Sequence, residues 1–236
     1  MVWGMALPKG FGEFWPDGDF EGWTDSLKGH FLESMPASQQ APFGEGPRGA
    51  LRYMGYAVDK FVKESGTVSA SEKPPLSPIE PHEPPRHFDT QKTYDQLGAL
   101  VMLSDKILAT DEAFKAIVER LEPGVHQFFP VEIRMPKNKV FPDPYYIMVI
   151  GGYRESFSAE DSAAGSFNER RPGFCYHDTS KKGTAGLAFA RSRFAGAHLW
   201  RERAFREELT CMSDELVGEI AAAGLRIPAH YQMREV

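Results

Sequence analysis

The strongest constraint on the fold is a phrase that this chain writes twice. Leu103-Ser104-Asp105-Lys106-Ile107-Leu108 leads through a helical pattern to Gly124-Val125, then into an extended run ending in Pro130-Val131-Glu132. Met212-Ser213-Asp214-Glu215-Leu216-Val217 leads through a shorter helical pattern to Gly224-Leu225 and a second extended run. Each copy supplies an apolar residue, a Ser-Asp pair suited to start a helix and a glycine suited to stop one. Neither places a nucleophile, a set of metal ligands or a phosphate cradle at its junctions, so the phrase reads as framework. Units of this kind predict an α+β fold of mostly antiparallel sheet with a few short helices, in a single compact domain.

The spacing around the framework fills in the elements. Leu51, Met54, Val58, Phe61 and Val62 predict one side of a helix over 50–62, and Phe114, Ile117, Val118 and Leu121 the buried face of a helix over 111–121, stopped at Pro123-Gly124. Apolar runs predict strands at 97–103, 126–133 and 145–150, and the Pro142-Asp143-Pro144 turn implies antiparallel pairing of the last two. Strand character resumes at 186–194, 197–200 and 209–212, and Ser213 caps a helix running through Ala223. Pro228 cannot donate to a ladder, so 227–233 reads as an edge strand. Residues 151–183 show little periodicity and read as a functional or flexible loop.

Composition divides the chain. Residues 73–87 carry Pro74, Pro75, Pro78, Pro81, Pro84 and Pro85, a density that reads as an extended surface connector. Residues 1–72 form an aromatic and acidic segment, too loop-rich to hold a core alone and therefore expected to join the same fold as the α+β core over 88–236. Within residues 1–45, seven acids face two lysines, which accounts for most of the formal net charge of −6, and the same stretch holds Trp3, Trp15 and Trp23 with five phenylalanines. Such a surface repels nucleic acid and attracts a basic protein, although the aromatics equally suit a core rimmed by solvated acids. No apolar run approaches the roughly 20 residues that cross a bilayer. The absence of a basic-then-apolar start argues against a signal peptide. With only Cys175 and Cys211, the chain suits a reducing, cytoplasmic setting rather than a disulfide scaffold.

The chemical motifs are weak. Gly44-Glu45-Gly46-Pro47-Arg48-Gly49 matches the dinucleotide fingerprint in letters, but Pro47 removes an amide that pyrophosphate would need, and no strand precedes it. Cys175-Tyr176-His177 would place a thiol and an imidazole on one face of a strand, the basis for an alternative reading as a small cysteine-dependent hydrolase or transferase. Neither an orienting group nor an oxyanion site accompanies them. The seven histidines read as scattered, without the i, i+4 carboxylate pairing of a helical zinc site. Trp200 through Glu208 alternates charges as a salt-laced surface segment does. No cofactor and no metal are expected.

From about Phe88 onward the chain resembles Immunity protein family 11 of bacterial polymorphic toxin systems. The resemblance rests on Phe194-Ala195-Gly196-Ala197-His198-Leu199-Trp200, on Leu209 through Leu216, and on Ala223-Gly224-Leu225, with support from Leu103-Ser104-Asp105 and Tyr145-Tyr146-Ile147. It implies a cytoplasmic protein without turnover or cofactor that binds a cognate secreted toxin, encoded beside it, and blocks it. The family fixes no contact residues. Charge and aromatic content point to Asp17, Asp19, Glu21, Trp23 and Asp25 as one partner-binding patch, and to Arg154, Glu155, Glu160 and Asp161 as a second.

Overall fold

The apolar runs condense into two mixed sheets and one ribbon, seen in a computed structural model that describes residues 1–67, 74–171, 174–206 and 209–236. In the first sheet the strands lie in the order Gly18–Asp19, His87–Thr90, Gln127–Met135, Tyr145–Val149, Leu108–Asp111 and Leu100–Met102, with Lys139–Val140 folded back on Gln127–Met135. His87–Thr90 runs parallel to its longer neighbour and the other pairs are antiparallel. Ile147 sits between Ala109 and Phe129 and is fully buried, which explains why its strand is apolar on both faces.

The second sheet has the order Ala188–Phe189, His230–Glu235, Val2–Met5, Leu209–Ser213, Leu199–Glu202 and Tyr153–Arg154. Its two outer strands pair in parallel and its interior pairs are antiparallel. Val2–Met5 is an interior strand, and His230–Glu235 pairs on both sides instead of forming an edge. Pro228 stands ahead of that strand, so its missing amide is not asked of the ladder. A shared core of Leu100, Leu108, Phe114, Met148, Leu199, Met212 and Leu216 lies between the sheets, together with the helices Glu112–Leu121 and Asp214–Ala222.

The two copies of the repeated phrase diverge at their start. In the second, the Ser213 hydroxyl accepts from the Leu216 amide at 3.1 Å and opens Asp214–Ala222 as expected. In the first, Ser104-Asp105 opens no long helix. Its carbonyl accepts from Ile107 at 3.1 Å across a tight turn, with Asp105 and Lys106 at φ 56° and 62°, and the chain turns straight into Leu108–Asp111. The helix begins at Glu112, where Asp111 accepts from the Phe114 amide at 2.8 Å. Both helices are followed by the expected left-handed glycine, Gly124 at φ 75° and Gly224 at φ 66°.

The long helix is Gly46–Val62, and its buried side is rotated from the expected one. Ala50, Tyr53, Tyr56, Ala57, Lys60 and Phe61 face inward, whereas Leu51 is 62 % exposed. The rotation follows from polar partners that the hydrophobic pattern cannot show. Tyr56 donates to the Pro75 carbonyl at 2.9 Å and accepts from the Ser77 amide at 2.8 Å, while Leu76 buries beside it. The described part of the Pro-rich segment is thus packed on the helix and is more than a spacer; Lys73 at its start lies outside the described residues.

Residues 151–183 also hold more structure than a loop. They contain Tyr153–Arg154, a ribbon of Phe167–Arg171 with Phe174–His177, and a helix Lys181–Ala185 capped by Ser180. Downstream, 186–194 resolves into the strand Ala188–Phe189 and a single helical turn, Arg191–Phe194. Glu207 and Glu208 of the alternating-charge segment lie outside the described residues. Among the described residues, no helix is long and apolar enough to cross a membrane.

Candidate functional site

The acidic segment is positioned by backbone bonds to the first sheet. The Asp17 amide donates to the Tyr94 hydroxyl at 2.7 Å, the Gln91 amide to the Asp17 carbonyl at 2.7 Å, and the Met102 amide to the Phe14 carbonyl at 2.8 Å. Asp19 then projects from the edge strand Gly18–Asp19, exposed, and Glu21 and Asp25 follow on the surface. Trp23 differs from its neighbours in the expected patch. It is 6 % exposed, packs edge-on against Phe20 and Phe61, and donates its indole N–H to the Glu83 carbonyl at 2.7 Å. Trp23 is therefore a core anchor in this fold.

Its place beside the acids is taken by aromatics that the charge pattern did not single out. A small bridge between Gly12 and Trp15 folds Phe11 against Trp15 at 4.7 Å, and Phe11 is 55 % exposed. These rings, with Leu7, Pro8 and Asp19, border a groove of about 550 Å³ whose far side is the turn around Asp105. The Ser104 hydroxyl ties that turn to the Gly18 carbonyl at 3.0 Å. Burial, and then the nearby Asp19 carboxylate, push the Asp105 carboxyl above its ordinary range. The groove thus combines exposed aromatic surface with two mutually repelling acids and one cation, Lys106, a net negative lining suited to a basic, partly apolar protein surface. A signal for it was present in the sequence as Phe11 and Trp15, four residues apart, but nothing local distinguishes an exposed ring from a buried one.

The second expected patch is on the other sheet. Arg154 is half-buried in Tyr153–Arg154 and donates to the Tyr153 carbonyl at 2.9 Å. Glu155, Glu160 and Asp161 are exposed, and Asp161 accepts from the Ser158 hydroxyl at 2.6 Å. The structure does not merge this patch with the first.

Beneath the acidic segment lies a buried polar centre. Lys60 donates to both oxygens of Glu83 at 2.7 and 2.8 Å and to the Pro78 carbonyl at 3.1 Å, which uses all three of its donors. Tyr53 donates to Glu83 at 3.0 Å, and burial together with that carboxylate pushes its phenol far above the ordinary tyrosine range. With its proton so committed, Tyr53 accepts from His82 Nε2 at 2.7 Å, and the His82 ring stacks on His30 at 3.5 Å. These bonds lock the Pro-rich segment onto the helix.

The cysteine alternative finds little chemical support. Cys175 and His177 are two residues apart in one strand, but the His177 ring packs against Phe205 at 4.9 Å. Burial, then Glu169, push the Cys175 thiol up, and burial raises the fully enclosed Cys211 thiol well above its ordinary value. A nucleophilic cysteine needs the opposite shift. The glycine-rich segment follows a short helical turn rather than a strand, with Pro47 in the first turn of the long helix. The histidines are not all without an i, i+4 carboxylate: buried His126 bonds Glu122, four residues earlier, at 2.9 Å, and Glu122 also accepts from the Leu199 amide at 2.8 Å. The bond from Leu199 ties the end of the helix Glu112–Leu121 to the second sheet, and the bond to His126 ties it to the start of Gln127–Met135 in the first. Among the described residues, no group of three His, Cys, Asp or Glu side chains is placed to hold a metal ion.

No curated protein matches the chain. A family model described as Immunity protein family (Imm11) matches residues 72–233, from the Pro-rich segment into the last strand. The match spans both copies of the strand–helix phrase, the shared core between the sheets and most of the second sheet, and on it the protein belongs to the Immunity protein family Imm11.

Proposed function

We propose that this protein neutralises a cognate bacterial toxin, made in the cytoplasm alongside it from a neighbouring gene, by binding it and covering its active or substrate-binding surface. The observation that carries this reading is the groove beside Asp19, where the exposed Phe11 ring and the half-buried Trp15 adjoin exposed acids. Toxins that act on nucleic acid or other anions need basic clefts, and an acidic, aromatic surface complements such a cleft. The acids Asp17, Asp19, Glu21 and Asp25 accelerate encounter, and Phe11 and Trp15 slow release. Trp23 supports the patch from below. The surface formed by Arg154, Glu155, Glu160 and Asp161 is a second place for contact.

The experiment is co-purification with the product of the adjoining toxin gene, followed by reversal of Asp17, Asp19, Glu21 and Asp25 to lysine. The reading expects association to slow at low salt and affinity to fall by about tenfold or more, with the defect shrinking as salt screens the charges. Affinity unchanged at low and high salt would remove the acidic patch from the mechanism and leave the second surface to be tested in the same way. Failure to form any complex with the toxin would sink the function itself.

A further inference from the structure

Two carboxylates and two rings line the groove beside Asp19, and the fold itself uses only part of what they offer. The Ser104 hydroxyl donates to the Gly18 carbonyl at 3.0 Å, so the residues that follow each partner, Asp105 and Asp19, flank one tie between the turn and the edge strand. Both carboxylates reach solvent. Asp19 commits one oxygen to the Phe20 amide at 2.8 Å. The Asp105 carboxylate has neither a hydrogen-bonding partner nor an ion pair among the described residues.

The rings carry a matching surplus. No other aromatic side chain among the described residues is as open as Phe11, which meets Trp15 at 4.7 Å beside the small bridge between Gly12 and Trp15. Ring faces attract cations, and carboxylates accept from them. A guest that satisfies both is flat, apolar on its faces and positively charged at its edge. Lys106, the single cation among the lining residues, opposes such a guest and so fixes a sign that can be tested.

We propose that this groove seats one arginine side chain of the partner protein, its guanidinium held by Asp19 and Asp105 and its stem lying along Phe11 and Trp15. The proposal rests on the toxin-binding reading and names the anchor within it. A guanidinium stacks on aromatic faces, is more weakly hydrated than an ammonium, and presents five donors in a rigid fork, so arginine suits the groove better than lysine. Arginine is also among the residues that carry most of the energy of protein interfaces. The groove, about 550 Å³, holds such a side chain with the backbone that carries it.

The test titrates the whole, isotope-labelled chain with capped tripeptides, Gly-Arg-Gly, Gly-Lys-Gly and Gly-citrulline-Gly, at equal ionic strength, and follows the Trp15 indole N–H by NMR. The arginine peptide should bind saturably, the lysine peptide about threefold more weakly or worse, and the uncharged citrulline peptide not measurably. Asp19→Asn with Asp105→Asn should weaken the arginine peptide about tenfold. Asparagine keeps the local structure, because it can still accept from Phe20 and readily adopts the φ of 56° found at Asp105. Phe11→Ala should weaken binding about threefold, Lys106→Ala should strengthen it about twofold, and Glu119→Gln, outside the groove, should leave it unchanged. Four results overturn the proposal: citrulline binding as well as arginine, lysine binding as well as arginine, an unchanged affinity in the double asparagine variant, or weaker binding in Lys106→Ala. The titration contains no toxin, so its failure leaves the neutralisation reading standing, and a complex missing from the co-purification leaves the titration to decide the groove.

Discussion

Glu83, under the helical N-terminal unit, and Glu202, in the second sheet, are both completely enclosed, yet the protein treats their charges in opposite ways. Glu83 faces Lys60 at 2.7 Å and takes further bonds from Tyr53 and the Glu80 amide. Glu202 is held by the Ser156 hydroxyl at 2.6 Å, the Ser156 amide at 2.9 Å and the Ala204 amide at 3.1 Å. Burial pushes the Glu202 carboxyl up, and those bonds only partly oppose the shift. An ion pair demands one geometry from both partners, so the first region gains a unique seat for its Pro-rich segment at the risk of a stranded charge. A carboxyl that leans toward neutrality carries less risk and specifies less.

The comparison breaks most visibly at Lys60. Lys60→Met leaves Glu83 buried without its cation and should cost about 3–5 kcal/mol in urea unfolding, whereas Lys60→Met with Glu83→Leu should recover most of that loss. A single variant within about 1 kcal/mol of the parent would end the distinction between the two regions. Next in size are the caps, which ask whether the two helices facing the shared core are secured alike. Asp111→Ala and Ser213→Ala should each cost about 1 kcal/mol. Ser104→Ala should leave helix content, followed by circular dichroism, unchanged.

Glu202→Gln sharpens the comparison through pH. A carboxyl raised in the folded state stabilises the fold below the ordinary glutamate value, about 4.3, and that contribution is lost as pH climbs through the elevated value. The glutamine variant lacks this loss. Its stability relative to the parent should therefore improve from pH about 4 to 7 while staying within about 1 kcal/mol at neutrality. A difference that is flat with pH would remove the raised carboxyl from the account. His82 gives the smallest and opposite effect. Burial, then His30, lower its imidazole below the ordinary value, with Lys60 acting in the same sense and Glu83 and Glu80 opposing. Its contribution is present above about pH 6.5 and fades as pH falls, so His82→Asn should flatten the decline in stability below that point.

What the sequence discloses and what it hides divide along these same lines. Helices with local instructions are legible: Ser213 with Asp214, Phe114 with Val118, Gly124 and Gly224 all act over a few residues. The α+β class is legible for the same reason, and the short parallel pairs at the sheet margins are not. Ser104-Asp105 misleads because a pair that can cap a helix can equally make a turn, and only the strand after it decides. The inward side of the long helix depends on Glu83, Pro75 and Pro78, none of which is near in sequence. Trp23 and Trp15 look alike in composition. One is enclosed because it reaches the Glu83 carbonyl, and the other lies half-open beside Phe11. Exposure of this kind is a property of the assembled sheet, so a binding surface is harder to read than a core.

The position of Val2–Met5 has a consequence for how the molecule comes into being. Val2 pairs with Ser213 on one side and Met233 on the other, so these four residues are the seam of a sheet whose flanks are made last. During synthesis they cannot be flanked on both sides until His230–Glu235 has left the ribosome, while the Ile147 sheet can already assemble around its own hairpins. The second sheet therefore closes late: it is complete only when Val2–Met5 and His230–Glu235 are present at once.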